Sequence, residues 1–165
     1  MPHLAINGAT PVRTIPFPTW PVYTEEDAQA VSDTILSGKW GSSNGDRVHT
    51  LEDQFAAFQQ AKHGIAVTNG TTALNLALQS VGLTPGDEVI VPAVSWATTF
   101  HPLQQYGLKL RFLDVELDTL NMDVSQLEAA LTPRTRMVVA VSILGNPAAL
   151  DVIRAFCDRH GLYLL

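Results

Sequence analysis

Pro85-Gly86-Asp87-Glu88-Val89-Ile90-Val91-Pro92-Ala93-Val94-Ser95-Trp96 carries the strongest fold signal in the chain. A turn at Pro85-Gly86-Asp87 feeds the short apolar run Glu88–Val91, which reads as a buried strand. On its C-terminal side, Trp96 to Tyr106 reads as a helix and Leu110–Leu113 as a second strand, ending at Asp114. A short helix from Val124 to Leu131 follows, with Asp123 as its cap. Met137–Val141 is the most strand-like run in the chain, Ala148 to His160 is helical, and Leu162–Leu165 begins another strand. On the N-terminal side, Thr72 to Val81 reads as a helix preceded by a buried strand, Ile65-Ala66-Val67. Short strands alternating with helices imply βαβ units. The expected class is therefore α/β, with a mainly parallel sheet covered on both faces.

The first third follows a different pattern. Residues 1–22 carry five prolines (Pro2, Pro11, Pro16, Pro18 and Pro21), which oppose helix and central strand. This segment is expected to be an extended arm, and residues 23–165 the body. Thr24 followed by Glu25, Glu26 and Asp27 opens a helix that Gly38 should end. A loop of small polar residues around Trp40 runs to Asp46, and a second helix is expected from about Thr50 to Lys62. No internal repeat or low-complexity segment is present.

Composition narrows the function. The chain has 165 residues, 46% hydrophobic and 16% charged, with a formal net charge of -6. That is a globular composition without a disorder signature. The basic residues do not cluster, so no nucleic-acid footprint is visible. No apolar run approaches the ~20 residues of a membrane span. Met1-Pro2-His3-Leu4-Ala5 lacks the blocks of a signal peptide. A cytoplasmic soluble protein is expected. The single cysteine, Cys157, sits in an apolar helical pattern and reads as a buried structural thiol. The histidines His3, His49, His63, His101 and His160 show no paired-ligand spacing, so no metal site is expected. His101 reads as a solvated or capping residue, and Asp114 and Glu116 serve a turn as readily as catalysis.

Two segments could carry chemistry. Thr68-Asn69-Gly70-Thr71-Thr72-Ala73-Leu74 follows a strand and opens a helix. Gly70 permits a tight turn there. Thr71 and Thr72 add hydroxyls where unpaired N–H groups and the helix dipole favour an anion. Read alone, the same residues more readily form a plain threonine cap with no ligand. The absence of Gly-Lys-Thr/Ser excludes a Walker loop. Pro92-Ala93-Val94-Ser95-Trp96-Ala97-Thr98-Thr99 also follows a strand, and Trp96 could stack on an aromatic ring or pack into the core. Together they offer a phosphate cradle and a stacking platform at successive strand ends, which pyridoxal 5'-phosphate (PLP) needs for its phosphate and its ring.

These segments, with Gly86-Asp87-Glu88-Val89-Ile90-Val91-Pro92 and Ser95-Trp96-Ala97-Thr98, resemble the DegT/StrS family of sugar aminotransferases. So do Phe112-Leu113-Asp114-Val115, Asp118-Thr119-Leu120-Asn121-Met122-Asp123, Thr132-Pro133-Arg134-Thr135-Arg136, Gly8–Arg13 and Gly38-Lys39-Trp40-Gly41. The resemblance runs over nearly the whole chain. It implies the aspartate-aminotransferase-like PLP fold type I, a homodimer, and PLP or its amine form (PMP) as cofactor. It places Gly70, Thr71 and Thr72 at the cofactor phosphate and Trp96 against the ring. It puts the Trp40–Asp46 loop, with Trp40 and Ser42, near a nucleotide-sugar or cyclitol substrate.

The resemblance also implies groups that the chain does not supply. The family has a carboxylate just after the strand that here ends at Leu165, paired with the pyridine nitrogen, and a cofactor-binding lysine further on. None of Lys39, Lys62 and Lys109 has that lysine's context, so no catalytic base is assigned. The expectation is an incomplete large domain, cut short at a strand end. One segment departs from the family's His-Leu-Phe-Gly type: Ser142-Ile143-Leu144-Gly145-Asn146-Pro147 resembles the branch that includes nucleotide-sugar 3-dehydratases. Three readings follow. The first is an aminotransferase acting on a keto-sugar or cyclic ketone with an amino donor. The second is a PMP-dependent sugar dehydratase. The third is a non-catalytic fragment.

Overall fold

The computed structural model describes residues 4–165, so the first three residues of the expected arm lie outside the described residues. The chain divides into two compact units, Met1–Ala66 and Val67–Leu165.

In the first unit, a single 3-10 turn at Ala5–Asn7 is followed by residues without helix or strand up to Thr24. Helix α1 spans Glu25–Ser37 and starts at a reciprocal cap. The Thr24 hydroxyl accepts from the Asp27 N–H at 3.2 Å, and the Asp27 carboxylate accepts from the Thr24 N–H at 2.8 Å. Gly38 ends the helix at φ 66°, a left-handed value that glycine adopts without a Cβ penalty. Helix α2 spans Arg47–Phe58, starting and ending a few residues earlier than the apolar spacing suggests. Its acidic Glu52 reaches forward to accept the Ala66 N–H at 2.8 Å. A Cβ on Gly64 would sit 2.5 Å from the Glu52 carbonyl oxygen, so only glycine lets this segment lie against α2.

That packing corrects one expectation. Ile65-Ala66-Val67 is not a strand: Ile65 is exposed, and the Ala66 N–H goes to a glutamate side chain instead of a ladder. A parallel strand needs a neighbour, and no described residue pairs with this run.

The second unit is the α/β body. It comprises α3 (Gly70–Ser80), β1 (Glu88–Pro92), α4 (His101–Gln105), β2 (Lys109–Leu113), α5 (Leu127–Ala130), β3 (Thr135–Val138), α6 (Leu150–His160) and β4 (Tyr163–Leu164). The four strands form one parallel sheet in the order β2-β1-β3-β4. The long helix expected over Trp96 to Tyr106 is instead a 3-10 turn, Ala97–Thr99, followed by the short α4.

All five residues of β1 are buried, as a central parallel strand requires. Alternation of its side chains splits the core in two. Val89 and Val91, with Met137 and Val139 of the β3 run, pack against Leu78 of α3 and Leu103 of α4. Ile90 and Val138 pack on the opposite face against Leu127 and Ala130 of α5 and Ile153, Phe156 and Cys157 of α6. Each such aliphatic side chain, fully removed from water, contributes roughly 1.5–3 kcal/mol. Cys157 is fully buried and its thiol is pushed up by that burial, so it is an unreactive packing residue.

One charge is buried at the amino end of the sheet. Glu88 is 5% exposed. Its carboxylate accepts two bonds from the Arg134 guanidinium, at 3.0 and 2.6 Å, and one from the Thr132 hydroxyl at 2.8 Å. Arg111 lies 3.8 Å away. These bonds, those from Arg134 first, hold the Glu88 carboxyl below the usual carboxylate range. The Thr132–Arg136 segment thus serves to close one end of the sheet. No helix among the described residues is long and apolar enough to cross a membrane.

Candidate functional site

The sheet order changes direction at β1: β2 lies on one side of it and β3 on the other. In open parallel sheets the crevice beyond the carboxyl ends of two such strands is where ligands bind. Here that crevice is bordered by the residues after β1, beginning Ala93-Val94-Ser95-Trp96, and by those after β3, Val139 onward. The ladder is firm up to its rim: the Ala93 N–H donates to Leu113 O at 2.8 Å, and the Val139 N–H to Ile90 O at 2.9 Å.

Helix α3 presents its N-terminus as the first element of the site. Its cap is Asn69, which the sequence reading did not single out, although Asn-Gly before an apolar helix is a recognisable start signal. The Asn69 Oδ1 accepts from the Thr72 N–H at 2.9 Å and from the Thr72 hydroxyl at 3.2 Å. The Thr72 N–H is therefore already engaged. Gly70 and Thr71 occupy the first two helical positions, where the backbone N–H has no intrahelical acceptor, and no described residue accepts from either. Gly70 is helical and is absent from the positive-φ glycines, so it does not make a tight turn as expected. A Cβ at Gly70 would meet nothing within 4 Å. Two free N–H groups, the Thr71 hydroxyl and the positive end of an 11-residue helix suit an anion such as a phosphate, while the Thr72 hydroxyl is already held by Asn69.

Trp96 is the second element. It leads into the Ala97–Thr99 turn, its carbonyl accepts the Thr99 N–H at 2.9 Å, and the neighbouring Ser95 hydroxyl bonds the Thr99 hydroxyl at 2.9 Å. Trp96 is 74% exposed, which removes the alternative of a core tryptophan. Helix α3 packs against this same turn and against α4, so both candidate segments lie on neighbouring elements of one unit. His101 opens α4 and is exposed.

A third border comes from the segment after β3. The buried Asn121 donates from Nδ2 to the carbonyls of Asn146 and Pro147, both at 3.1 Å. Its Oδ1 accepts the Ile143 N–H at 3.2 Å. Asn146 returns a bond to Thr119 O at 3.2 Å. Asp114 and Glu116 serve the turn that carries Asn121: Asp114 O accepts from the Asp123 N–H at 3.0 Å and Glu116 O from the Leu120 N–H at 2.8 Å. Nothing in the local pattern marked Asn121, because a buried amide and an exposed one look alike in sequence.

Trp40 and Ser42 belong to the first unit and fall in different hollows. Ser42 lines a polar cavity of about 660 Å³ with Asp33, Lys39, Asn44, Asp46 and Arg47. Its carbonyl accepts from the His49 ring at 3.1 Å, if that nitrogen carries the proton, and His49 is held above its ordinary pKa chiefly by Glu52. Trp40 borders an apolar hollow with Val31 and Ile35, and its indole N–H donates to Ile35 O at 3.1 Å. Of the lysines, Lys109 opens β2 and so stands at the amino end of the sheet, opposite Trp96. Among the described residues no group of three or more His, Cys, Asp or Glu side chains comes together to hold a metal ion.

The sequence profile of the DegT/DnrJ/EryC1/StrS aminotransferase family matches residues 21–165. The L-glutamine:2-deoxy-scyllo-inosose aminotransferase of Streptomyces paromomycinus is 38% identical over 98% of this chain and 39% of its own length. Two solved structures superpose closely. The first, 3-amino-5-hydroxybenzoic acid synthase, has a TM-score of 0.84 and 38% identity over 90% of this chain and 39% of that one. The second, an Escherichia coli GDP-4-keto-6-deoxy-D-mannose-3-dehydratase with bound hydrated PLP, has a TM-score of 0.78 and 35% identity over 86% of this chain and 38% of that one. The chain spans about two fifths of the length of the curated relatives it matches.

Proposed function

Because the chain belongs to the DegT/DnrJ/EryC1/StrS aminotransferase family, we propose that it carries part of the cofactor site of a PLP-dependent enzyme that aminates a keto-sugar or related cyclic ketone. Its fold is the aspartate-aminotransferase-like PLP fold type I of its solved relatives. The observation that carries the reading is the pairing of two free N–H groups at the start of α3 with an exposed indole one element away, beyond the carboxyl end of β1. Gly70 and Thr71 would hold the phosphate by backbone N–H, with the Thr71 hydroxyl beside it and the Thr72 hydroxyl turning from Asn69 Oδ1 to join it. Trp96 would cover one face of the ring. Bound PLP supplies the electron sink through which an amino group passes from donor to acceptor. The residues named here bind and orient that group, and none of the chain's lysines is assigned to it.

Residues 1–22 are read as an arm and 23–165 as the N-terminal part of the PLP-binding large domain. Trp40 and Ser42 are read as substrate-facing, with small molecules as partners and a homodimer as the assembled form. A second reading rests on the Leu144-Gly145-Asn146-Pro147 segment and on the 38% identity to a Yersinia pseudotuberculosis GDP-4-keto-6-deoxy-D-mannose 3-dehydratase. In it, the same site removes a sugar hydroxyl using the amine form of the cofactor. The two readings part on one product analysis. Full-length protein loaded with PLP is given glutamine or glutamate and a panel of cyclitol ketones and nucleotide-linked keto-sugars. An aminated product, with loss of the donor's amino group, is expected. A deoxygenated product without nitrogen would establish the dehydratase reading instead.

A further inference from the structure

The segment after β3 has a feature that phosphate and ring binding do not use. Leu144 adopts φ 52° and ψ 23°, left-handed backbone that a bulky aliphatic residue rarely takes, and its side chain is 88% exposed. Gly145, which tolerates such values freely, follows at φ 80°. The conformation is over-determined by its surroundings. The buried Asn121 ties Ile143 on one side and Asn146 and Pro147 on the other, and Ala148 N–H donates to the Ser142 hydroxyl at 3.2 Å. No packing gain offsets the strain at Leu144 itself, because the side chain meets mostly open space. Strain kept without a packing reason is a mark of functional positions. The location agrees, since this segment continues β3 at the point where the strand order reverses.

We infer that Leu144 is a specificity-determining residue, held over the sheet's carboxyl edge by Asn121 so that its side chain packs against the C–H face of the cyclic ketone. This rests on the aminotransferase reading above. An isobutyl group offers no donor or acceptor, so it favours ring carbon over hydroxyl and is unsuited to a charged amino donor. Asn121 is a positioning residue: it acts on the ketone only through the backbone of residues 143–147.

The test uses the full-length, PLP-loaded protein and steady-state kinetics with 2-deoxy-scyllo-inosose as the probe ketone and glutamine as donor. Leu144→Gly relieves the left-handed strain while deleting the apolar contact. The expected result is a thermal midpoint no lower than that of the parent, a ketone KM raised about tenfold, the size of effect one lost apolar contact gives, and an unchanged KM for glutamine. Leu144→Asn, which also tolerates this backbone, should do the same. Asn121→Asp keeps the acceptor for Ile143 but loses both donated bonds. It should raise the ketone KM similarly and speed amide exchange across residues 143–147. Adding Leu144→Gly to it should change KM no further. Equal shifts in both KM values, an unchanged ketone KM, or a lower midpoint in Leu144→Gly would overturn the inference. Absence of ketone turnover by the unaltered protein would defeat the functional reading beneath it and the inference with it. Turnover indifferent to Leu144 would defeat the inference alone.

Discussion

At the scale of single residues, the folded unit turns on a few polar side chains with fixed partners. Glu88 is one, with its carboxylate bound by Arg134 and Thr132 inside the amino end of the sheet. Its pKa is lowered in the folded state. Its contribution to stability is therefore complete above the ordinary unfolded value of about 4.3 and is lost as pH falls through the lowered folded value. Glu88→Gln should lower the thermal midpoint at pH 7, and the gap to the parent should narrow progressively below about pH 4. A gap that stays constant over that range would show that the charge is irrelevant. Little of this was legible from the sequence. Thr132-Pro133-Arg134-Thr135-Arg136 stood out only as part of a resemblance, because a salt bridge spanning 46 positions leaves no local signature. The Thr24 cap and the burial of Cys157 were legible, since both follow from neighbours within one helical turn.

At the scale of elements, strands were read more surely than helix ends. β1, β2 and β4 lie where short apolar runs placed them, because burial on both faces selects such runs whatever the loops do, whereas β3 (Thr135–Val138) begins and ends earlier than the expected Met137–Val141. The exception, Ile65–Val67, shows the limit: an apolar run becomes a strand only if a partner strand is beside it, and pairing is not a local property. The start of α3 shows the converse. Two threonines drew the eye, yet the cap is Asn69, which shifts the free donors to Gly70 and Thr71. Asn69→Ala removes the cap and should cost about 1 kcal/mol of stability in chemical denaturation of the folded protein. A change below about 0.3 kcal/mol would mean that the cap contributes nothing. Trp96 follows β1, and its neighbours form a 3-10 turn, braced by the Ser95–Thr99 bond, rather than a long helix.

At the scale of the whole molecule, the two units differ in kind. Val67–Leu165 contains both core clusters, one on each face of the sheet, whereas α1 has no buried residue and α2 buries only Ala56. The candidate cofactor groups lie in the better-packed unit, on elements beside the sheet, where packing favours the preorganisation a site needs. In the proposed site the α3 N-terminus binds the phosphate of PLP and Trp96 its ring. Calorimetric titration of the full-length protein with pyridoxal 5'-phosphate and with pyridoxal, which lacks the phosphate, tests it most directly. The phosphate form should bind at least tenfold more tightly. Thr71→Ala/Thr72→Ala should shrink that preference, while Trp96→Ala should weaken both ligands alike. Equal affinity of the parent protein for the phosphorylated and unphosphorylated ligands would contradict the account.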